Sequence, residues 1–261
     1  MTKVICFANN KGGSGKSTTC CNVGYSLQTL GKKVLLIDGD MQMNLTLSFF
    51  NDDYALELAK GGQNIYVAIK EQRDLTPYIQ HTEYENLDII PSSTLMSGIE
   101  FDLFTKWQRE FILRSGLEKI KKSDVYDYIL IDSPPTLGCW VMNIMCASDY
   151  LIIPVEASPW GLFGIANMFE FYEQVSRIAP DLKLMGIAVT KANERKNYFK
   201  QTMESLSELD NVRLFKNYIR TDSTIEWSQD NSKPVMAYKK TSRAAQEYLE
   251  LSKEILDYVD R

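Results

Sequence analysis

The sequence predicts an α/β fold, a doubly wound, mainly parallel sheet flanked by helices in a single domain over residues 1–261. Three observations predict it. Short apolar runs recur at Val4–Ala8, Val34–Ile37, Tyr128–Ile131, Leu151–Val155 and Leu184–Val189. They are apolar nearly throughout, as strands covered on both faces are. The first two runs enclose a loop and a helix-compatible segment, and strand, loop, helix, strand within about 35 residues is a parallel crossover. A 44% hydrophobic content over 261 residues supplies one large core.

The first crossover carries the stretch on which the chemistry turns. Val4–Ala8 leads into Lys11-Gly12-Gly13-Ser14-Gly15-Lys16-Ser17, followed by Thr18 and Thr19, and the helix runs from Ser17 to Leu30 with Gly31 at its C-cap. Backbone N–H groups can surround a triphosphate only where no Cβ blocks the approach, which Gly12, Gly13 and Gly15 provide. The helix that follows turns its positive end to the anion. In such a loop Lys16 reaches the β/γ-phosphates and the Ser17 hydroxyl ligates Mg²⁺. The strict pattern G-x-x-x-x-G-K-[ST] fails here, because its first glycine falls on Asn10. In its place a second lysine, Lys11, opens the loop.

K-G-G-x-G-K-[ST] resembles the deviant Walker A loop of the ParA/MinD family of P-loop ATPases. The resemblance implies that the signature lysine, Lys11, crosses a dimer interface to the partner's phosphates. Three further motifs extend it nearly end to end in the expected order. Val34–Ile37 delivers Asp38-Gly39-Asp40-Met41-Gln42-Met43-Asn44-Leu45-Thr46 to the carboxyl edge of the sheet, where ligands bind. The family's D-x-D-P-Q-G-N-x-[ST] is matched at Asp38, Asp40, Gln42, Asn44 and Thr46, with Met41 and Met43 in place of Pro and Gly. By resemblance Asp38 orients or activates the attacking water and belongs with Ser17 to the metal site, while Asp40 responds to the γ-phosphate as a switch residue. Tyr128–Asp132 is an apolar strand ending in a carboxylate, the Walker B form, so Asp132 belongs to the Mg²⁺ shell. Pro134 and Pro135 match the family's h-h-h-h-D-x-P-P and stiffen the loop beneath the γ-phosphate.

The remaining chain is read in order. Asn51–Glu85 is polar and weakly periodic, with a short helix at Ile65–Lys70 and a break at Pro77. Leu87–Ile90 is a strand. Leu95, Ile99, Leu103, Trp107 and Phe111 recur at helical spacing up to about Lys122 and predict a core-facing stripe. A helix is expected over residues 162–178. After the next strand, Thr190-Lys191-Ala192-Asn193 resembles the base-reading T-K-x-D of GTPases, but an amide at Asn193 cannot accept the two N–H bonds of guanine as a carboxylate does. Adenine is the expected base. The C-terminal order Ile219-Arg220, Glu226, Lys233-Pro234-Val235, Ser242-Arg243 follows partition ATPases, which implies that the loop at Pro234 closes on the base and that Arg220, Lys240 and Arg243 bind DNA nonspecifically.

Net charge is −5, which excludes a generally basic nucleic-acid binder. The charge is uneven: residues 183–243 hold 12 Lys/Arg against 7 Asp/Glu, which permits a local anion-binding face. Five cysteines without paired spacing predict a reduced, cytoplasmic protein. The leading apolar run is too short for a secretory signal, and no stretch reaches the roughly 18 apolar residues of a membrane span.

These features predict an ATP-dependent, Mg²⁺-requiring homodimeric ATPase switch that binds DNA nonspecifically and partitions plasmid or chromosomal DNA with a ParB-like centromere-binding partner. Nucleoid association in the ATP state and slow intrinsic turnover are part of that expectation, as is the lack of a separate N-terminal DNA-reading domain. The alternative is a MinD-like membrane-cycling regulator. It needs a basic amphipathic tail, whereas residues 250–261 are acidic. A nitrogenase iron-protein type of reductase is opposed by the cysteine spacing: Cys139 has no second ligand upstream after Cys21.

Overall fold

A computed structural model describes residues 1–158, 162–209 and 212–260. Seven strands form one sheet in the order β3-β4-β2-β5-β1-β6-β7: β1 (Lys3–Phe7), β2 (Val34–Asp38), β3 (Gln80–His81), β4 (Leu87–Ile90), β5 (Tyr128–Asp132), β6 (Tyr150–Glu156) and β7 (Lys183–Thr190). All pairs are parallel except β3 with β4. The mainly parallel, doubly wound expectation therefore holds, with one antiparallel edge of two residues.

Alternate residues of the central strands enter two separate cores, as the period of two requires. Val4, Cys6, Leu35, Ile37, Ile129 and Ile131 pack into one. Ile5, Phe7, Val34, Leu36, Tyr128 and Leu130 pack into the other. The helices divide accordingly. The second face is covered by α1 (Lys16–Thr29), through Cys20, Val23 and Leu27, and by the chain's last helix through Tyr248, Leu251 and Ile255. The first face is covered by helices over Ile65–Lys70, Ile112–Ser123, Cys139–Cys146 and Phe163–Ser176.

In chain order after α1 the helices are α2 (Asn44–Leu47), α3 (Asp52–Gly61), α4 (Ile65–Lys70), α5 (Ile99–Phe104), α6 (Ile112–Ser123), α7 (Cys139–Cys146), α8 (Phe163–Ser176), α9 (Asn197–Ser207), α10 (Ser223–Asp230), α11 (Val235–Tyr238) and α12 (Arg243–Val259). Helix α3 lies in the stretch that sequence periodicity left blank. Its start is a local signal: the Asn51 side chain accepts from Tyr54 N at 2.9 Å, and Asn64 does the same for α4 from Val67 N at 3.2 Å.

The stripe from Leu95 to Phe111 is not one helix. A 3₁₀ turn at Thr94–Gly98, the short α5 and a second 3₁₀ turn at Arg109–Phe111 replace it. Gln108 in the left-handed region, φ 50°, breaks the run. Ile99 and Leu103 are buried as expected, but Leu95 is 53% and Trp107 86% exposed. The stripe resumes in α6 at Leu113, Leu117 and Ile120.

Candidate functional site

The parallel register brings the chain's conspicuous polar residues to one edge. Phe7 at the end of β1 is level with Asp132, Asp132 with Asp38, and Glu156 with Thr190. The loop that leaves β1 turns over this edge into α1. Gly13 and Gly15 both adopt positive φ, 73° and 86°, which an L side chain resists. A Cβ on Gly15 would also stand 3.3 Å from Thr190 Oγ1. That hydroxyl donates to Ser14 O at 2.9 Å, so the end of β7 is fastened to the phosphate loop.

A cavity of about 1070 Å³ opens along this loop. Its walls include Gly12, Gly13, Gly15, Lys16, Ser17 and Thr18, with Asp40 and Pro135 beside the loop and Ile225, Gln229 and Ser232 further along. Gln229 Nε2 donates to Thr18 Oγ1 at 3.0 Å, tying α10 to the start of α1. Ser14 is fully buried, and Lys16 is nearly so. Burial lowers the Lys16 ammonium pKa, partly offset by the charges of Asp132 and Asp40. Lys16 Nζ donates to Lys11 O at 3.3 Å.

The three carboxylates differ sharply. Asp132 is 0% exposed, and neither of its oxygens has a hydrogen-bond partner. Burial pushes its carboxyl well above the usual range, helped by the charge of Asp38; the nearby Ser17 hydroxyl and Lys16 only moderate this. Asp38 is equally buried yet fully engaged. Its Oδ2 accepts from Thr46 N at 2.8 Å and Thr46 Oγ1 at 2.6 Å, and its Oδ1 accepts from Asp40 N at 3.1 Å. Burial lifts its pKa to about 6, against those bonds. Asp40 lines the cavity and accepts from Gln42 N at 3.1 Å.

An orphaned buried carboxylate beside a hydroxyl and an ammonium fits a divalent cation. No group of three His, Cys, Asp or Glu among the described residues could hold an ion unaided. Mg²⁺ takes one or two protein oxygens and completes its shell with water and phosphate, so the Ser17 hydroxyl and the Asp132 carboxylate would be donors enough.

Lys11, the signature lysine of the motif, is held within its own subunit. Its Nζ donates to Glu156 Oε2 at 2.8 Å and Ser158 Oγ at 3.1 Å. Pro134 is half-buried and Pro135 exposed at the cavity. Asn193 and Pro234 do not line the cavity; Asn193 Oδ1 accepts from Arg195 N at 3.2 Å, and Pro234 is buried beside Val235, whose N–H donates to Asn22 Oδ1 at 2.8 Å.

The basic residues of the C-terminal part are also more constrained than their sequence suggests. Arg220 pairs with Glu247 and with Glu194, the latter at 3.2 Å. Arg243 Nη2 donates to Thr221 O at 2.7 Å, and the guanidinium lies 3.6 Å from Asp222 and 3.7 Å from Glu247. Lys240 is exposed. Glu247 and Glu156 are the site residues that sequence reading missed: Glu247 sits one turn into α12, beyond the basic stretch, and nothing in the sequence ties Glu156 to Lys11.

The AAA domain family matches residues 2–184. The sporulation initiation inhibitor protein Soj of Bacillus subtilis is 34% identical over 98% of both chains. The chromosome partitioning protein ParA of Myxococcus xanthus is 29% identical over 97% of this chain and 88% of its own length. Among solved structures, a plasmid partition protein from Borrelia burgdorferi B31 bound to AMPPNP superposes with a TM-score of 0.81 at 27% identity, covering 98% of each chain. With the deviant loop, the two strand-end aspartates and the sheet order in place, the chain belongs to the ParA/MinD family of P-loop ATPases.

Proposed function

We propose that this chain is an ATP-hydrolysing partition switch. In this reading ATP and Mg²⁺ bind at the phosphate loop, two subunits close face to face, and the dimer binds DNA without sequence preference until hydrolysis releases it. A ParB-like partner stimulates turnover, the protein is cytoplasmic, and its ATP form sits on the nucleoid. The observation that carries the reading is Asp132, a fully buried carboxylate left without a donor next to Ser17 and Lys16.

Lys16 and the loop N–H groups hold the phosphates. Ser17, Asp132 and Asp38 are the residues that would hold the metal, which would supply positive charge at the phosphates. Asp38, fixed by Thr46 and the Asp40 N–H, orients the attacking water, and Asp40 with Pro134 and Pro135 forms the switch that answers the γ-phosphate. Lys11 must exchange Glu156 for the partner subunit's triphosphate. Because Arg220 and Arg243 are already paired with carboxylates, DNA contact rests on Lys240 and on rearrangement of that network. Affinity should fall with salt at a log–log slope of about −0.9 per phosphate contact.

Light scattering after size exclusion, with ATP, ADP or no nucleotide and with or without nonspecific duplex, tests the reading. A dimer with ATP alone, and DNA carried only in that state, is the expected result. A mass unchanged by ATP, or salt-insensitive DNA association without nucleotide, overturns it.

A further inference from the structure

Besides Lys16, a second lysine lines the nucleotide cavity. Lys191, the residue after β7, lines it alongside Gly12 and Gly13. Its Nζ would stand 3.9 Å from a Cβ built on Gly13. The side chain is exposed, and among the described residues it forms no ion pair, whereas Lys11, Arg220 and Arg243 each do.

The backbone is built to aim it. Lys191 has φ 50°, a left-handed conformation that a residue with a Cβ seldom adopts. The turn is held from both sides. Thr190 Oγ1 donates to Ser14 O, Thr221 Oγ1 donates to Lys191 O at 3.2 Å, and Ala192 exchanges N–H bonds of 2.9 Å with Ile219 O and Thr221 N. The T-K-A-N string thus delivers its lysine to the cavity and leaves its asparagine outside.

We infer that Lys191 binds the nucleotide of its own subunit, its ammonium contacting the phosphate chain beside Gly13. The inference rests on the reading of this cavity as a nucleoside di- or triphosphate site. It gives that site a cis cation on the β7 side in addition to Lys16, while Lys11 stays with Glu156 until the subunits close.

Calorimetric titration with ADP tests it, since ADP separates nucleotide binding from subunit closure. Lys191→Met keeps the aliphatic stem and removes the charge; Lys191→Arg keeps the charge. A charge-assisted hydrogen bond contributes about 1.5 kcal/mol or more, so Lys191→Met should weaken ADP about tenfold and flatten the salt dependence of binding. Lys191→Arg should restore both, with unchanged nucleotide-free melting temperatures. If Lys191→Met does not fold, Lys191→Asn, suited to the left-handed turn, replaces it in the same comparison. Wild-type ADP affinity in the uncharged variant overturns the inference, as does an equal loss in the Met and Arg variants, which would mark the turn and not the charge. A wild-type protein that binds no ADP would instead overturn the reading of the whole cavity.

Discussion

Asp132→Asn should stabilise the nucleotide-free protein while abolishing its response to Mg²⁺. The carboxyl is 0% exposed and receives no hydrogen bond, so folding strips its water, and only the nearby Ser17 hydroxyl and Lys16 charge offset the loss. Burial therefore holds its pKa well above the usual carboxylate value, and at neutral pH the site carries either an uncompensated buried charge or the work of protonating it. An amide removes the charge but still lacks partners, which costs about 1–3 kcal/mol. Trading a buried charge for a neutral group of the same shape should therefore gain on the order of 1 kcal/mol or more, and at roughly 2–4 °C per kcal/mol for a chain of this size the melting temperature should rise by a few degrees. Differential scanning fluorimetry in EDTA reads this directly, and repetition with ADP, with and without Mg²⁺, reads the metal-dependent increment. If the variant melts lower in EDTA, Asp132 has a structural partner and is not a waiting ligand. If the Mg²⁺ increment survives, the cation is held elsewhere.

Lys16→Ala should lose nucleotide, seen as no thermal shift with ADP, whereas Asp38→Ala should keep ATP and dimerise but not release phosphate; normal turnover in the latter would remove Asp38 from the hydrolytic step. Glu254 accepts N–H bonds from Lys216, Asn217 and Arg213 at 3.0–3.2 Å. Glu254→Ala strands these donors and should cost about 3 kcal/mol in urea melts. Burial alone would raise the Glu254 carboxyl, but these bonds outweigh it and hold the pKa below the usual value. Its stabilisation is therefore fully present above the unfolded value of about 4.3 and is lost as pH falls through the lower folded value. Glu254→Gln should flatten that acid limb, read by denaturation between pH 3 and 6. Gly39→Ala would put a Cβ 2.6 Å from Asp132 O and 3.2 Å from Trp140 Nε1, which donates to Gly39 O; a loss of about 1–3 kcal/mol is expected, and a neutral result would mean that the two strand ends can part.

Much of the fold was legible because the strands of a doubly covered sheet are local signals. Leu87–Ile90 is found where its apolar run and the following Pro91 put it, and α1 stops at the glycine that sequence reading assigned to its end. The stretch from Leu95 to Trp107 was not legible, because helical spacing says which residues could share a face but not whether the backbone stays helical. Gln108 turns it, and Trp107 with Phe101 and Phe104 ends on the surface.

The sequence alone determined the phosphate loop, the aspartates at the ends of β2 and β5, and the family, because strand-then-glycine-loop and apolar-run-then-Asp are written in neighbouring residues. Only the tertiary structure decided the electrostatics. Arg220 reads as part of a basic stretch until Glu194 and Glu247 arrive from other segments, and Arg243 until Asp222 does. Lys11 likewise meets Glu156 across 145 residues of chain. Charge interactions depend on distance through space, and the distance between strand ends is fixed by sheet order and register, which no local pattern encodes.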